Sequence, residues 1–249
     1  MSTALETIPT ANLALALVPV AFVIVILWQW CDDVKTSLYA TGRMLLQLLL
    51  IGYVLAYVFE SNSALIIIAV LCVMALSSSW IALRTVQLPR QALYPKTLLA
   101  VGLSGGLMLL LITQGVLNLD PWYRPSYLIP LAGMIFSGGM NAVSLAAERL
   151  ESELSHGSQF QQARGIALRA SLIPIINSLF AVGLVSLPGM MSGQILAGIS
   201  PFIAARYQIM VMCMLFAAAG FASALFLLLT RTDFIADQQQ RQVSNTKQP

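Results

Sequence analysis

Charge is what this sequence has least of. Asp, Glu, Lys and Arg together make up 9% of its 249 residues, against about 25% in ordinary soluble domains. That is too few to cover a soluble enzyme in water. The net charge of +3 is spread between apolar segments and forms no patch, which excludes nucleic acid as a partner. The single histidine, His156, excludes a histidine-rich metal centre and leaves any nucleophile without a base. The three cysteines, Cys31, Cys72 and Cys213, are odd in number and scattered, so they make no disulfide framework and read as small apolar packing residues. None of the ten carboxylates falls inside an apolar run, where a proton- or sodium-driven carrier usually keeps an ionisable group. No phosphate-cradling G-x-x-x-x-G-K-[ST] occurs, and no H-E-x-x-H. The expectation is a chain that is not an enzyme, with no catalytic residues and no cofactor of its own. Its energy source then lies in another polypeptide. No Lys or Arg precedes the first apolar segment, so that segment is expected to stay as a membrane span and not to act as a secretory signal.

What the sequence has instead is apolar length. Hydrophobic residues make up 58% of the chain, and charge-free windows run over 7–31, 44–59, 61–83, 97–119, 125–147, 170–205 and 207–230. A membrane-crossing helix needs about 20 predominantly apolar residues. The windows predict an all-α, polytopic membrane protein with seven transmembrane helices. Glu60-Ser61-Asn62-Ser63 reads as a tight turn between the second and third. Placing the N-terminus outside puts Lys35, Arg43, Arg84, Arg90, Lys96, Arg149, Arg164, Arg169, Arg231, Arg241 and Lys247 inside, leaving only Arg124 and Arg206 outside. This follows the positive-inside rule and puts the C-terminus in the cytoplasm. Residues 1–232 are expected to form one transmembrane domain. Residues 233–249, rich in Gln, Asn, Ser and charge, read as a disordered cytoplasmic tail.

The window 170–205 is too long for one span and too polar in its middle for two. Pro188-Gly189 cannot continue a regular helix, because proline lacks the N–H and clashes with the preceding turn. One interrupted or re-entrant sixth span is expected, since counting two would move Arg231, Arg241 and Lys247 outside. Irregular backbone at membrane depth survives only where protein or a wet cavity covers it. The break therefore marks a candidate gate: Pro188, Gly189, Met190, Met191 and Gly193. Asn141, Asn177, Gln194 and Gln208 are candidate path-lining groups, although intramembrane amides also bridge helices. Methionines cluster late in the chain. Their thioethers suit soft metals and equally serve as flexible packing. Gly102, Gly105, Gly106, Gly133, Gly138 and Gly139 allow close helix contact and suggest tight packing or a dimer seam.

The loop 148–170 is the one sizeable polar insertion. Ser158 and Gln161 fit a capping box, Gly157 breaks the helix before it, and Ala163, Ile166, Ala167 and Ala170 share a face. A short helix pair against the inner membrane surface is expected, either as an ordinary solvated loop or as a docking element for a soluble partner. Its candidate residues are Glu153, Gly157, Ser158, Phe160, Ala163 and Arg164.

Two stretches carry a resemblance. SLPGMMSG at 186–193, inside VGLVSLPGMMSGQILAGISP, and IPLAGMI at 129–135 with MNAVSLAAERL at 140–150 resemble the FetB-like permeases of ABC transporters. These are bacterial iron-export subunits with plant aluminium-tolerance relatives. The resemblance covers nearly the whole chain. It implies a permease homodimer in the cell inner membrane, docked to a separate cytosolic ABC ATPase that binds ATP and Mg. It further implies export of metal ions, iron above all, with 148–170 as the coupling loop. In two places the sequence departs from the family pattern. Ser137-Gly138 stands where the family has Gly-Asn, and His156-Gly157 where it has Leu-Gly. An ion-gradient-driven secondary carrier, an ABC exporter of a small organic solute and a scaffold without transport are the competing readings.

Overall fold

The computed structural model describes residues 9–31, 34–60 and 63–246. Ser61 and Asn62 of the expected tight turn, and residues 247–249, fall outside them. Every regular element among the described residues is helical. The helices are α1 (Thr10–Leu15), α2 (Leu17–Trp30), α3 (Val34–Glu60), α4 (Ala64–Ala82), α5 (Arg90–Leu110), α6 (Pro125–Ser155), α7 (Phe160–Ala181), α8 (Gly189–Leu196), α9 (Pro201–Leu229) and α10 (Arg231–Thr246). Six of the described helices are long and apolar enough to cross a membrane. The chain divides into two compact units, Met1–Asn62 and Ser63–Pro249.

In the first unit, α2 buries none of its residues. Phe22, Trp28 and Trp30 are all exposed. A helix apolar on every side with no residue buried by protein has lipid as its natural solvent over most of its surface. Pro19 sits in the first turn of α2, where a missing N–H costs nothing.

In the second unit, α6 is the centre. It packs against α4, α5, α7 and α9 and buries a stripe that includes Leu128, Leu131, Ala132, Ile135, Ala142 and Leu150. Small residues set the close approach of α6 to α9. A Cβ on Gly139 would meet the Ala222 Cβ at 3.4 Å, and Ala146, Ala147, Ala218 and Ala222 are buried. Where lipid replaces water outside, such van der Waals fit holds helices together better than apolar character does. Gly105 brings α5 against Phe136 in the same way. Gly102 and Gly106 face open space, so only part of the expected glycine seam closes inside this chain.

Two sequence expectations change here, and a third gains bounds. The window 170–205 is interrupted before Gly189, as expected, but over a longer segment. α7 ends at Ala181, a turn over 182–188 follows, then α8, and α9 already starts at Pro201, six residues before the seventh window. The loop 148–170 is no separate helix pair, because its first half is the end of α6 and its second the start of α7. The disordered tail is corrected as well: α10 is helical from Arg231 to Thr246 and buries Phe234 against Phe226, with ring centroids 6.4 Å apart.

Candidate functional site

The turn between α6 and α7 is built by one glycine. Gly157 has φ +86°, a conformation that costs other L-residues about 1–2 kcal/mol. The Ser158 N–H donates to the Glu153 carbonyl (3.2 Å) and the Gly157 N–H to the Leu154 carbonyl (3.1 Å). This is the paired bonding of a Schellman cap, which satisfies the last carbonyls of α6. The capping box does not form. α7 starts one residue later than it requires, with Gln159 as N-cap and no side-chain cap bond. The Ser158 hydroxyl donates instead to Glu153 Oε2 at 3.2 Å, and Glu153 pairs with Arg149 at 2.6 Å. Of the other candidate loop residues, Ala163 is fully buried, Arg164 is half-buried, and the Phe160 ring lies under Arg231, 6.0 Å from its guanidinium carbon.

The turn is braced by α10, which the sequence did not reveal. Gln238 Nε2 donates to the carbonyls of Leu154 (3.3 Å) and Ser158 (3.1 Å). Glu151, nearly buried at 9% exposure, accepts from the Gln87 N–H through one oxygen and from Arg241 through the other, each at 3.0 Å. Asp237 holds the same guanidinium at 2.7 Å. Lys96 on α5 pairs with Asp233. A single carboxylate thus joins the segment after α4, the end of α6 and α10.

Between α6, α7 and α9 runs a groove that begins at the level of Leu145 and Ser171, short of this turn. It consists of two cavities of about 270 Å³ and 300 Å³ that share Met134, Ile175, Ser178 and Leu215. Each helix contributes one stripe. α6 gives Met134, Ser137, Gly138, Asn141 and Leu145; α7 gives Ser171, Pro174, Ile175 and Ser178, with Val182 just beyond its end; α9 gives Gln208, Met212, Leu215 and Ala219. These positions recur at three- and four-residue spacing, the signature of one helix face. From Met134 to Leu145 is about 16 Å of helix at 1.5 Å per residue, roughly half of a ~30 Å hydrocarbon core.

The far end of the groove meets the helix break. Ser186, Pro188, Gly189 and Met190 line the second cavity. α7 stops because Gly183, at φ +83°, turns the chain. The N–H groups of Val185 and Ser186 then donate back to the Ala181 carbonyl, and the Gly183 N–H donates to the Ser186 carbonyl. Backbone donors freed by the break therefore find acceptors within the turn itself, as apolar surroundings require. α8 closes on a second glycine cap at Gly198, φ +87°, with Ile199 N–H donating to the Gln194 carbonyl.

Of the candidate gate and path residues, Pro188, Gly189, Met190, Asn141 and Gln208 line the groove. Met191, Gly193, Gln194 and Asn177 line neither cavity, and Asn177 is exposed. Gln208 is 6% exposed, and its Oε1 has no hydrogen-bond partner; the same holds for the buried Oε1 of Gln194 on α8. Ser137 and Gly138, where the sequence departs from the resembled pattern, both sit on the groove wall. Ser178 belongs to the polar residues the sequence shows along the broken span, whereas Ser171 and Leu215 are wall residues it did not mark. The signal was the serine spacing on α7, masked by the length of the apolar window around it.

A model of the Uncharacterised protein family UPF0014 matches residues 10–235. The UPF0014 membrane protein slr1647 of Synechocystis is 37% identical over 200 residues, covering 74% of this chain and 77% of that protein. The probable iron export permease protein FetB of Escherichia coli is 34% identical over 229 residues, 86% of either chain. The protein ALUMINUM SENSITIVE 3 of Arabidopsis thaliana is 33% identical over 221 residues, covering 82% of this chain and 79% of that protein. No solved structure matches. Six long apolar helices, the family match and these relatives converge: the chain is a multi-pass membrane protein of the UPF0014 family.

Proposed function

We propose that this chain is the permease subunit of an ABC-type exporter that moves metal ions, iron in the first place, out of the cytoplasm. ATP is hydrolysed by a separate cytosolic partner. The permease crosses the inner membrane seven times, N-terminus outside and C-terminus inside, and works as a homodimer. The sixth crossing is α7 together with the broken segment and α8.

The observation that carries this reading is the groove. It connects the break at Pro188 with the levels of Leu145 and Ser171, and α6 and α7 continue from those levels to the Gly157 turn. A force on the turn is transmitted along two continuous helices to the groove walls. An ATPase shifts access only by binding two states of the permease differently. The turn is where such a partner docks, because Ser155, His156, Gly157 and Gln159 are exposed there. Iron enters from the name of the Escherichia coli relative.

The test is ATP hydrolysis and metal efflux in vesicles that hold the permease with its ATPase. Arg164→Glu is expected to leave insertion intact and to uncouple hydrolysis from efflux. Efflux at the wild-type rate in that variant would remove the coupling role of the α6–α7 turn. Efflux by the chain alone under an ion gradient would support a secondary carrier instead.

A further inference from the structure

We infer that the second cavity of the groove, at the helix break, is a binding site for a soft metal cation of low charge, held by neutral donors. This goes beyond the exporter reading, whose iron comes from a relative's name, and rests on it only for the direction of movement. Three methionines, Met134, Met190 and Met212, line this cavity together with Gln208, Ser178 and Ser186. The lining holds no His, Cys, Asp or Glu, and among the described residues no group of three such side chains gathers anywhere.

Gln208 adds an unsatisfied polar group beside the methionines. It is buried, it lines the cavity, and its Oε1 lacks any donor. A buried acceptor left without a partner costs about 1–3 kcal/mol. Aliphatic packing would have filled the position more cheaply; the oxygen has almost no accessible surface as it stands, so the amide reaches a guest only by rotating toward the cavity that its residue lines. Serine hydroxyls do not relieve it, since Ser178 is already turned to its own helix, donating to the Pro174 carbonyl at 3.0 Å.

The donor set selects the cation. Thioethers bind soft metals and discriminate poorly among hard ones. A wall with no negative charge does little to offset the cost of dehydrating a multiply charged ion, because the Born cost grows with the square of the charge. Cu(I) therefore fits best, Fe(II) next, and Mn(II) least. The volume of about 300 Å³ leaves room for an ion that keeps several waters, each occupying about 30 Å³ in the liquid. Binding without charged ligands also stays weak enough for release, as a transit site requires.

The site is tested on the full chain, purified in nanodiscs without any ATPase. The exposed thiols Cys31, Cys72 and Cys213 are first changed to Ser, because they too bind soft ions. Ag(I), a redox-stable stand-in for Cu(I), is titrated against a competing chelator, and Fe(II) and Mn(II) follow under anaerobic conditions. One Ag(I) per chain is expected, with affinity falling about tenfold, or 1.4 kcal/mol, in Met190→Leu and in Met212→Leu. These swaps conserve volume and fold readily. Gln208→Leu is expected to weaken Ag(I) binding while raising the unfolding temperature. Absence of stoichiometric Ag(I), equal binding of Mn(II), or unchanged affinity in all three variants would overturn the site. Because no ATPase is present, that result leaves the exporter reading standing. A failure of ATP-driven efflux with Ag(I) binding intact would strike the exporter reading and spare the site.

Discussion

Glu151 offers the most quantitative test of how the α6–α7 turn is held. Its carboxylate accepts from the Gln87 N–H and from Arg241, both at 3.0 Å, and its side chain is 11% exposed while that of Arg241 is 41% exposed. The exposed arginine is screened, so Arg241→Ala should cost about 0.2–1 kcal/mol, the range of surface ion pairs. Glu151→Leu should cost more, about 2–3 kcal/mol, because it removes a charge-assisted bond and also leaves the Gln87 N–H without its acceptor. In the double variant only the Glu151 share of the Arg241 loss is already counted, because Asp237 also holds that guanidinium, so the cycle should return a coupling smaller than the Arg241→Ala cost, about 0.5 kcal/mol or less. Amide hydrogen exchange in nanodiscs reads the effect locally. Loss of about 1 kcal/mol speeds exchange in α10 roughly fivefold, with α4 and α5 unaffected by Arg241→Ala. Equal exchange of residues 231–246 in wild type and in both single variants would refute the reasoning and return the tail to independence from the turn.

Glycine contacts give a paired prediction. Gly105→Ala should destabilise the bundle by about 1 kcal/mol or more through overpacking, since its Cβ would fall 2.6 Å from Phe136 Cε1. Gly106→Ala meets nothing and should gain about 0.5–1 kcal/mol from helix propensity. Thermal unfolding of the two variants would show opposite shifts. If Gly106→Ala lowers the unfolding temperature as well, its face is covered, and a second copy of the chain becomes the first suspect. Gly157→Pro should uncouple ATP hydrolysis from efflux, because proline fixes φ near −65° and the native φ is +86°. Wild-type coupling in this variant, measured beside Arg164→Glu, would show that the shape of the turn is irrelevant.

The sequence carried the architecture further than the site. Charge-free windows located the long helices because a bilayer leaves charge few places to go, and Pro188-Gly189 located the break because its chemistry is local. What escaped was nonlocal. Residues 233–246 look disordered by composition, yet Asp233 finds Lys96, Gln238 finds Leu154 and Ser158, and Arg241 finds Glu151. Those partners lie 80 or more positions away in sequence, and no window over the tail contains them. The capping box failed for a different reason. Ser158 has a stronger local alternative in Glu153, and the Gly157 turn already uses the backbone N–H of Ser158. Gln208 was visible as a polar residue at a span end. Its missing partner was not, because only packing shows which amides are left unsatisfied.

The central claim is that the chain moves its cargo only when a separate ATPase acts on it. Metal efflux from sealed vesicles tests this directly, with the permease alone under proton and sodium gradients, and with its ATPase and ATP. The account predicts no efflux above empty vesicles in the first case and ATP-dependent efflux in the second. Gradient-driven efflux by the permease alone, unchanged when ATPase and ATP are added, would contradict it.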